Sequence, residues 1–188
     1  MIKRIIAIAV LVLSGLVQAA VAAPARVVVM RHAEKPDSGN QLNEQGFKRA
    51  EALVGFFKTS PDMAKYGAPA AIYAMAPKGE DGTLRPIQTV TPLAGSLGLS
   101  IITAYNKKHV EEMAAEIMAN PAYEGHTVVI SWAHDGIPDV VRALGWVDAP
   151  DKWPGKVFDR VWILDFRDGK AVSFMDLPEH LLPGDSDR

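Results

Sequence analysis

Apolar residues along this chain recur with two periods, and the alternation between them sets out the predicted elements. Short, β-branched runs predict strands at Arg26 to Met30, Ala70 to Met75, Thr127 to Ser131, Arg160 to Phe166 and Ala171 to Met175. Between them the apolar positions fall three and four apart, the spacing of an amphipathic helix. Phe47, Ala50, Leu53, Val54 and Phe57 define a first helix, opened by Leu42-Asn43-Glu44-Gln45-Gly46 with Asn43 as cap and ended at Ser60-Pro61. Gly46 near its start lowers helix propensity. Ile87, Val90, Leu93, Ala94 and Leu97 define a second, with Pro86 at its start and Gly98 at its end. Val110, Met113, Ala114 and Ile117 form one face of a third, and Ile137 to Leu144 predicts a short fourth.

The resulting order is β, α, β, α, α, β, α, β, β. Thr127 to Ser131 is a continuous apolar run, as expected of a central strand buried on both faces. Asp168-Gly169 between the last two strands is a tight-turn signal and predicts an antiparallel hairpin. The expected fold is therefore α/β: a three-layer α/β/α sandwich whose sheet is mostly parallel, with an antiparallel edge strand. Pro183 to Arg188 reads as a loose tail.

The N-terminal segment does not fit that order. Lys3 and Arg4 precede an apolar run from Ile5 to Val17, and Ala20-Val21-Ala22 has the small-x-small form of a cleavage site. Residues 1–23 read as a signal peptide, leaving 24–188 as one domain in the periplasm or secreted, with no membrane attachment after cleavage. A retained N-terminal anchor is the other reading, since extending the run through the alanines makes it long enough to span a bilayer. The chain has no cysteine, so disulfides, thiolate chemistry and sulfur-ligated zinc are excluded. Its formal charge is −2, and loss of Lys3 and Arg4 makes it more negative. Nucleic acid is not an expected partner of such a chain.

Candidate chemistry sits where predicted strands end. Arg31 and His32 follow the first strand. Arg85 follows the second, at the start of a helix, where the helix dipole disfavours a cation unless an anion lies nearby. His134 and Asp135 follow the third. In a parallel sheet these junctions share one edge, so the side chains can converge on one pocket. Arginine offers a rigid fork of donors to an anion, and histidine is a nucleophile near neutral pH. Two of each can surround a phosphoryl group. Arg49 on the first helix reads as a solvated residue, and Glu34 as a partner that orients Arg31 or its loop. His109, His126 and His180 lack neighbours at ligand spacing and read as structural or exposed. Trp132 is the one of four tryptophans expected close to the site.

Four segments in order carry a resemblance. Arg31-His32-Ala33-Glu34 resembles the Arg-His-Gly-Glu signature of the histidine phosphatase superfamily, the phosphoglycerate mutase-like proteins, with alanine for glycine. Leu42 to Gly46 with Ala50 is similar to that family's first helix. Arg85-Pro86-Ile87-Gln88-Thr89 with Pro92-Leu93-Ala94 is similar to its second arginine segment. His134 with Ile137-Pro138 and Ala143-Leu144-Gly145 is similar to its second histidine segment. Two departures stand out. Ala33 matters if its position needs a positive φ. His134 lies one step nearer Ile137-Pro138 than the usual spacing, which would place histidine at Ala133.

The resemblance implies a metal-independent, cofactor-free phosphatase of the phosphoglycerate mutase-like fold. His32 would form a phosphohistidine, Arg31 and Arg85 would grip the nonbridging oxygens, and His134, if protonated, would be a third clamp. The acid that protonates the leaving group stays open among Asp135, Glu80, Asp81, Glu111 and Glu112, or no dedicated acid at all. Expected partners are a small phosphorylated substrate or phosphate anion, with phosphoprotein and phosphosugar also open. The competing reading is a phosphate-binding or sensory protein that keeps the pocket with little or no turnover.

Overall fold

The structure, a computed structural model, describes residues 22–187. The signal peptide predicted at 1–23 thus falls outside the described residues except for its last two. Six strands form one sheet: β1 (Arg26–Arg31), β2 (Ala71–Ala74), β3 (Ile101–Ile102), β4 (Thr127–Trp132), β5 (Arg160–Arg167) and β6 (Lys170–Pro178). Their spatial order is β3-β2-β4-β1-β5-β6. β3, β2, β4 and β1 are parallel, and β5 and β6 add antiparallel strands on the far side of β1. The helices are α1 (Glu44–Thr59), α2 (Pro61–Ala64), α3 (Arg85–Leu97), α4 (Val110–Ala119) and α5 (Ile137–Ala143). This is the expected α/β arrangement, with α2 and β3 as short additions. Neither is long enough to carry a readable period.

The central strands β1, β2 and β4 are buried on both faces, and their two-residue alternation divides the core. Val27 and Val29 of β1, with Val128 and Ile130 of β4, point to one side, where Val110, Met113, Ala114 and Ile117 of α4 and Val140 and Val141 of α5 cover them. Val28 and Met30, with Val129 and Ile72, point to the other, against Leu53 and Phe57 of α1 and Val90 and Leu93 of α3. Each such side chain contributes roughly 1.5–3 kcal/mol on burial. β1 and β4 pair in register from Arg26↔Thr127 to Arg31↔Trp132, so both strands end at the same level. The hairpin turn at Asp168-Gly169 has positive φ at both positions (51° and 71°), as the predicted two-residue turn requires.

α1 departs from its expected face. Asn43 caps it, its side chain accepting from the Gly46 N–H at 2.8 Å, but Phe47 is 44% exposed. Gly46 and Arg49 are buried in its place. Arg49, read from sequence as solvated, is only 2% exposed. It donates from Nη2 to Glu34 at 2.7 Å and to Asp185 at 2.6 Å, and from Nη1 to Glu179 at 3.0 Å. Of the two roles expected of Glu34, it is the loop rather than Arg31 that it holds, through Arg49. The tail is correspondingly not loose at Asp185, whose carboxylate also accepts from the Leu181 and Leu182 N–H groups. These bonds, acting against the cost of burial, draw Asp185 down to about 2, while full burial pushes Glu179 up to about 8. Four charged side chains packed this closely could not all be ionised at low cost, and Glu179 is the one that takes a proton.

Gly46 is explained by the same approach of α1 to the loop behind β1. A Cβ there would sit 2.3 Å from the Glu34 carbonyl oxygen, whereas one at Gly55 of the same helix meets open space. Replacing Gly46 with alanine is expected to destabilise the fold by about 1–3 kcal/mol through overpacking. Gly55→Ala is expected to stabilise it by roughly 0.5–1 kcal/mol. Opposite shifts of the urea midpoint in the two variants check this reading.

Candidate active site

β1 and β4 end side by side, and the residues that follow them are tied together by backbone. The His32 N–H donates to the Trp132 carbonyl at 2.9 Å, so the ladder between the strands carries His32 into place. After Trp132 the chain turns through a 3₁₀ turn, His134–Gly136, directly into α5. His134, whose spacing from Ile137-Pro138 departs from the family's usual one, is the first residue of this turn. Trp132 is fully buried at the strand end, where its Nε1 lies against Gly136.

Ala33 takes a negative φ, so the alanine in place of glycine costs nothing in backbone strain. Its N–H donates to Thr89 Oγ1 at 2.8 Å, and the Thr89 hydroxyl donates in turn to the Arg85 carbonyl at 2.8 Å. Thr89, one turn into α3, therefore links the first and second candidate segments. Leu42 adds a second link, its N–H donating to Gln88 Oε1 at 2.9 Å.

His32 is buried, and its Nδ1 lies 2.7 Å from the Ala33 carbonyl oxygen. A carbonyl can only accept, so Nδ1 carries the proton and Nε2 keeps its lone pair. Burial pulls the imidazole down to about 4, and the charges of Arg31, Arg85 and His134 act in the same direction against the Ala33 carbonyl. At neutral pH His32 is thus a neutral ring with a free nitrogen.

Arg31 is 2% exposed. Its Nη1 donates to the carbonyls of Gly155 at 2.7 Å and Val157 at 3.0 Å, and its guanidinium lies 3.7 Å from the centroid of the Phe158 ring. Phe158 also packs against His32, with ring centroids 6.0 Å apart. Burial draws Arg31 down to about 10, so it stays charged at neutral pH. Its buried Nε has no hydrogen-bond partner. A buried, unused donor on a cation is a group that an incoming anion satisfies.

Arg85 is the first residue of α3 and half-buried. Its guanidinium donates to the carbonyls of Gln41 (3.1 Å) and Gly39, which holds the loop behind β1 against α3. Its charge is felt at both Arg31 and His32. His134 lies near the Gly155 backbone, where a Cβ would be 3.5 Å from its Nε2. Burial, then the Arg31 charge, lowers its pKa, so in the free protein it is a neutral ring rather than a cationic clamp. An anion among these groups would push it back up.

Asp135 is half-exposed and joined to Lys107 by an ion pair, one of its oxygens 2.6 Å from Nζ. Burial raises its pKa, but the Lys107 ammonium outweighs that and the net shift is downward. Asp135 is therefore a carboxylate, and its charge is felt at Arg31 and His134. The other carboxyls considered as proton donors are on the surface. Glu80 and Asp81 are exposed in the turn before Arg85, and Glu111 and Glu112 are exposed in the first turn of α4.

The structure thus brings Arg31, His32, Arg85, His134 and Asp135 to one sheet edge. It gives Thr89, quoted above only as part of the second arginine segment, a linking role, and it adds Lys107, Phe158 and the carbonyls of Gly155 and Val157, for which the sequence marked no role in the site. Nothing in the Trp153-Pro154-Gly155 stretch signalled that it would close over Arg31.

No family model and no curated protein sequence matches this chain. Solved structures do. A protein assigned as a phosphohistidine phosphatase, SixA, from Agrobacterium tumefaciens is 19% identical, with a TM-score of 0.52 over 81% of this chain and 98% of its own. A protein histidine phosphatase SixA complexed with tungstate is 14% identical, with a TM-score of 0.54 over 82% and 97%. The alpha-ribazole phosphatase of Shigella flexneri is 12% identical, with a TM-score of 0.54 over 78% and 93%.

The depressed His32 has a measurable consequence. Between pH 6.5 and 4 the unfolded chain takes up a proton at this residue that the folded chain refuses, so stability falls as the pH is lowered through that window. His32→Asn is expected to lose that part of the pH dependence, read as urea midpoints at pH 7 and 4.5. In the parent protein, NMR titration of the imidazole is expected to give a midpoint near 4. A midpoint near 6.5 contradicts the site as described.

Proposed function

Taking the histidine phosphatase fold of this chain as premise, we propose that it is a phosphomonoesterase that works through a covalent phosphohistidine on His32, without a metal. The carrying observation is the state of His32: a neutral ring, its Nδ1 proton held by the Ala33 carbonyl, with Nε2 free beside two arginine charges. That is the condition a nucleophilic imidazole needs, and burial alone makes it expensive to protonate. Nε2 attacks phosphorus, the P–N bond forms, and the P–O bond to the leaving group breaks with its electron pair. Arg31 and Arg85 take up the negative charge on the nonbridging oxygens, where fixed donors act most strongly in the transition state. The orphaned Arg31 Nε supplies one such donor. His134 becomes a further clamp once the anion has raised its pKa. Water then attacks phosphorus, breaks the P–N bond, releases phosphate and restores neutral His32. That one structural relative binds tungstate, a tetrahedral oxyanion, supports the placement of an anion in this pocket.

Asp135 is the proposed proton carrier, and Lys107 limits it. As a carboxylate it suits activation of the water in the second half-reaction. To protonate a leaving group it must first gain a proton against the Lys107 ammonium. The reading therefore favours substrates whose leaving group needs little help, such as phosphoramidates and esters of acidic phenols. Phosphohistidine, which stands in the name of one structural relative, is itself a phosphoramidate. The same ion pair favours the second reading, a phosphate-binding or sensory protein with an intact anion pocket and weak turnover. On either reading we place the chain in the periplasm or outside the cell, on the strength of residues 1–23.

Incubation with a ³²P-labelled phosphomonoester and an alkaline quench is expected to leave label on His32, stable in base and lost in acid. His32→Ala is expected to lower kcat by at least about 10³-fold, and Arg31→Ala or Arg85→Ala by roughly 10²–10³-fold. Phosphate binding without turnover of phenyl esters or phosphoramidates would establish the second reading instead.

A further inference from the structure

A cavity of about 460 Å³ adjoins the site on the β2 side, between the loop after β2 and the segment that leads into α4. Met75, Thr83 and Asn106 line it, together with three lysines, Lys78, Lys107 and Lys108. Two contacts join it to the catalytic edge. Thr83 precedes Arg85 and its Oγ1 accepts from the Arg85 N–H at 3.4 Å. Lys107 holds Asp135, and its stem lies beside Gly136, where a Cβ would be 3.7 Å from Lys107 Cγ.

The charge in this cavity is unbalanced. The chain as a whole is slightly acidic, yet three lysines line this one cavity. Asp135 answers only Lys107. Neither Lys78 nor Lys108 has an ion-pair partner among the described residues. Glu80 and Asp81 share a loop with Lys78 but do not line the cavity. Phe158 and the carbonyls of Gly155 and Val157 pack against Arg31, and none of them lines the cavity. The cavity is thus room beside the site for a group attached to a phosphoryl held by Arg31 and Arg85.

We propose that this cavity is the leaving-group subsite of the His32 pocket, and that it takes a small leaving group carrying an anion of its own, a carboxylate or a second phosphate. The proposal rests on the phosphatase reading above and names its substrate class. The size suits a small-molecule moiety. The lysines are exposed and, as flexible point charges, recognise charge rather than a fixed geometry. The subsite therefore discriminates by charge more than by shape.

Two matched pairs of substrates test this. One is phenyl phosphate against 4-(carboxymethyl)phenyl phosphate, in which a methylene insulates the phenol from the added carboxylate. The other is propyl phosphate against propane-1,3-diol bisphosphate, and comparison of the pairs separates carboxylate from phosphate as the preferred anion. The charged member is expected to have the higher kcat/KM, with a preference that fades as salt is added. The Lys78→Ala/Lys108→Ala double variant is expected to lower kcat/KM for charged members by roughly three- to tenfold. Turnover of the uncharged members should be unchanged. Equal turnover within both pairs, or an equal loss for both members in the variant, overturns the subsite. If the parent protein turns over none of the four, the phosphatase reading is what fails. Calorimetric binding of the same four compounds to the parent and the double variant then judges the cavity alone: no preference for charge, or a preference that the variant keeps, overturns it as well.

Discussion

The buried guanidinium of Arg49 is the constraint on which the site's architecture depends. It joins three distant parts of the chain: Glu34 in the loop behind β1, Glu179 just after β6, and Asp185 in the tail. Removing one partner from such a group leaves buried charge uncompensated, which is far more costly than never having built it. The loop that carries His32 is thus held from behind by α1, and α1 approaches it closely enough that only glycine fits at position 46. What looks like a weak helix start is the clearance that the arrangement requires.

The electrostatics of the candidate site follow from the same economy. Arg31 is buried among carbonyls and an aromatic face rather than paired with a carboxylate, so its charge remains available. Burial holds both histidines neutral, and that charge adds to it. Glu34, the acid nearest in sequence, is drawn away to Arg49. Had it paired with Arg31, the pocket would be electrically satisfied before any anion arrived.

Most of the layout was legible because it is periodic. β1 and β4 announced themselves as continuous β-branched runs, α3 and α4 by their three-and-four spacing, and the β5–β6 turn by Asp168-Gly169. The strand-end residues Arg31, His32, Arg85, His134 and Asp135 were legible because a parallel sheet gathers its strand ends on one edge. What failed to show had no local signature. Arg49 sits on a helical face that a polar residue normally gives to solvent, and its partners lie up to 136 residues away. Phe158 and the Gly155 carbonyl come from an aperiodic stretch far along the chain. Lys107 meets Asp135 across 28 positions, a pairing that no pattern within either segment encodes.

The packing of Arg31 carries one more consequence. A guanidinium clamped between two carbonyls and a phenyl ring has almost no freedom left to lose when it meets an anion. Such a cradle is finished in advance, and on the proposed reading it would accept any tetrahedral oxyanion of the right size, inorganic phosphate among them. Preorganisation of this kind confers affinity without discernment: in the proposed reaction the cradle could not tell a bound substrate from the phosphate just released. Whatever selectivity the protein has must be written in the walls around the cradle rather than in the cradle itself.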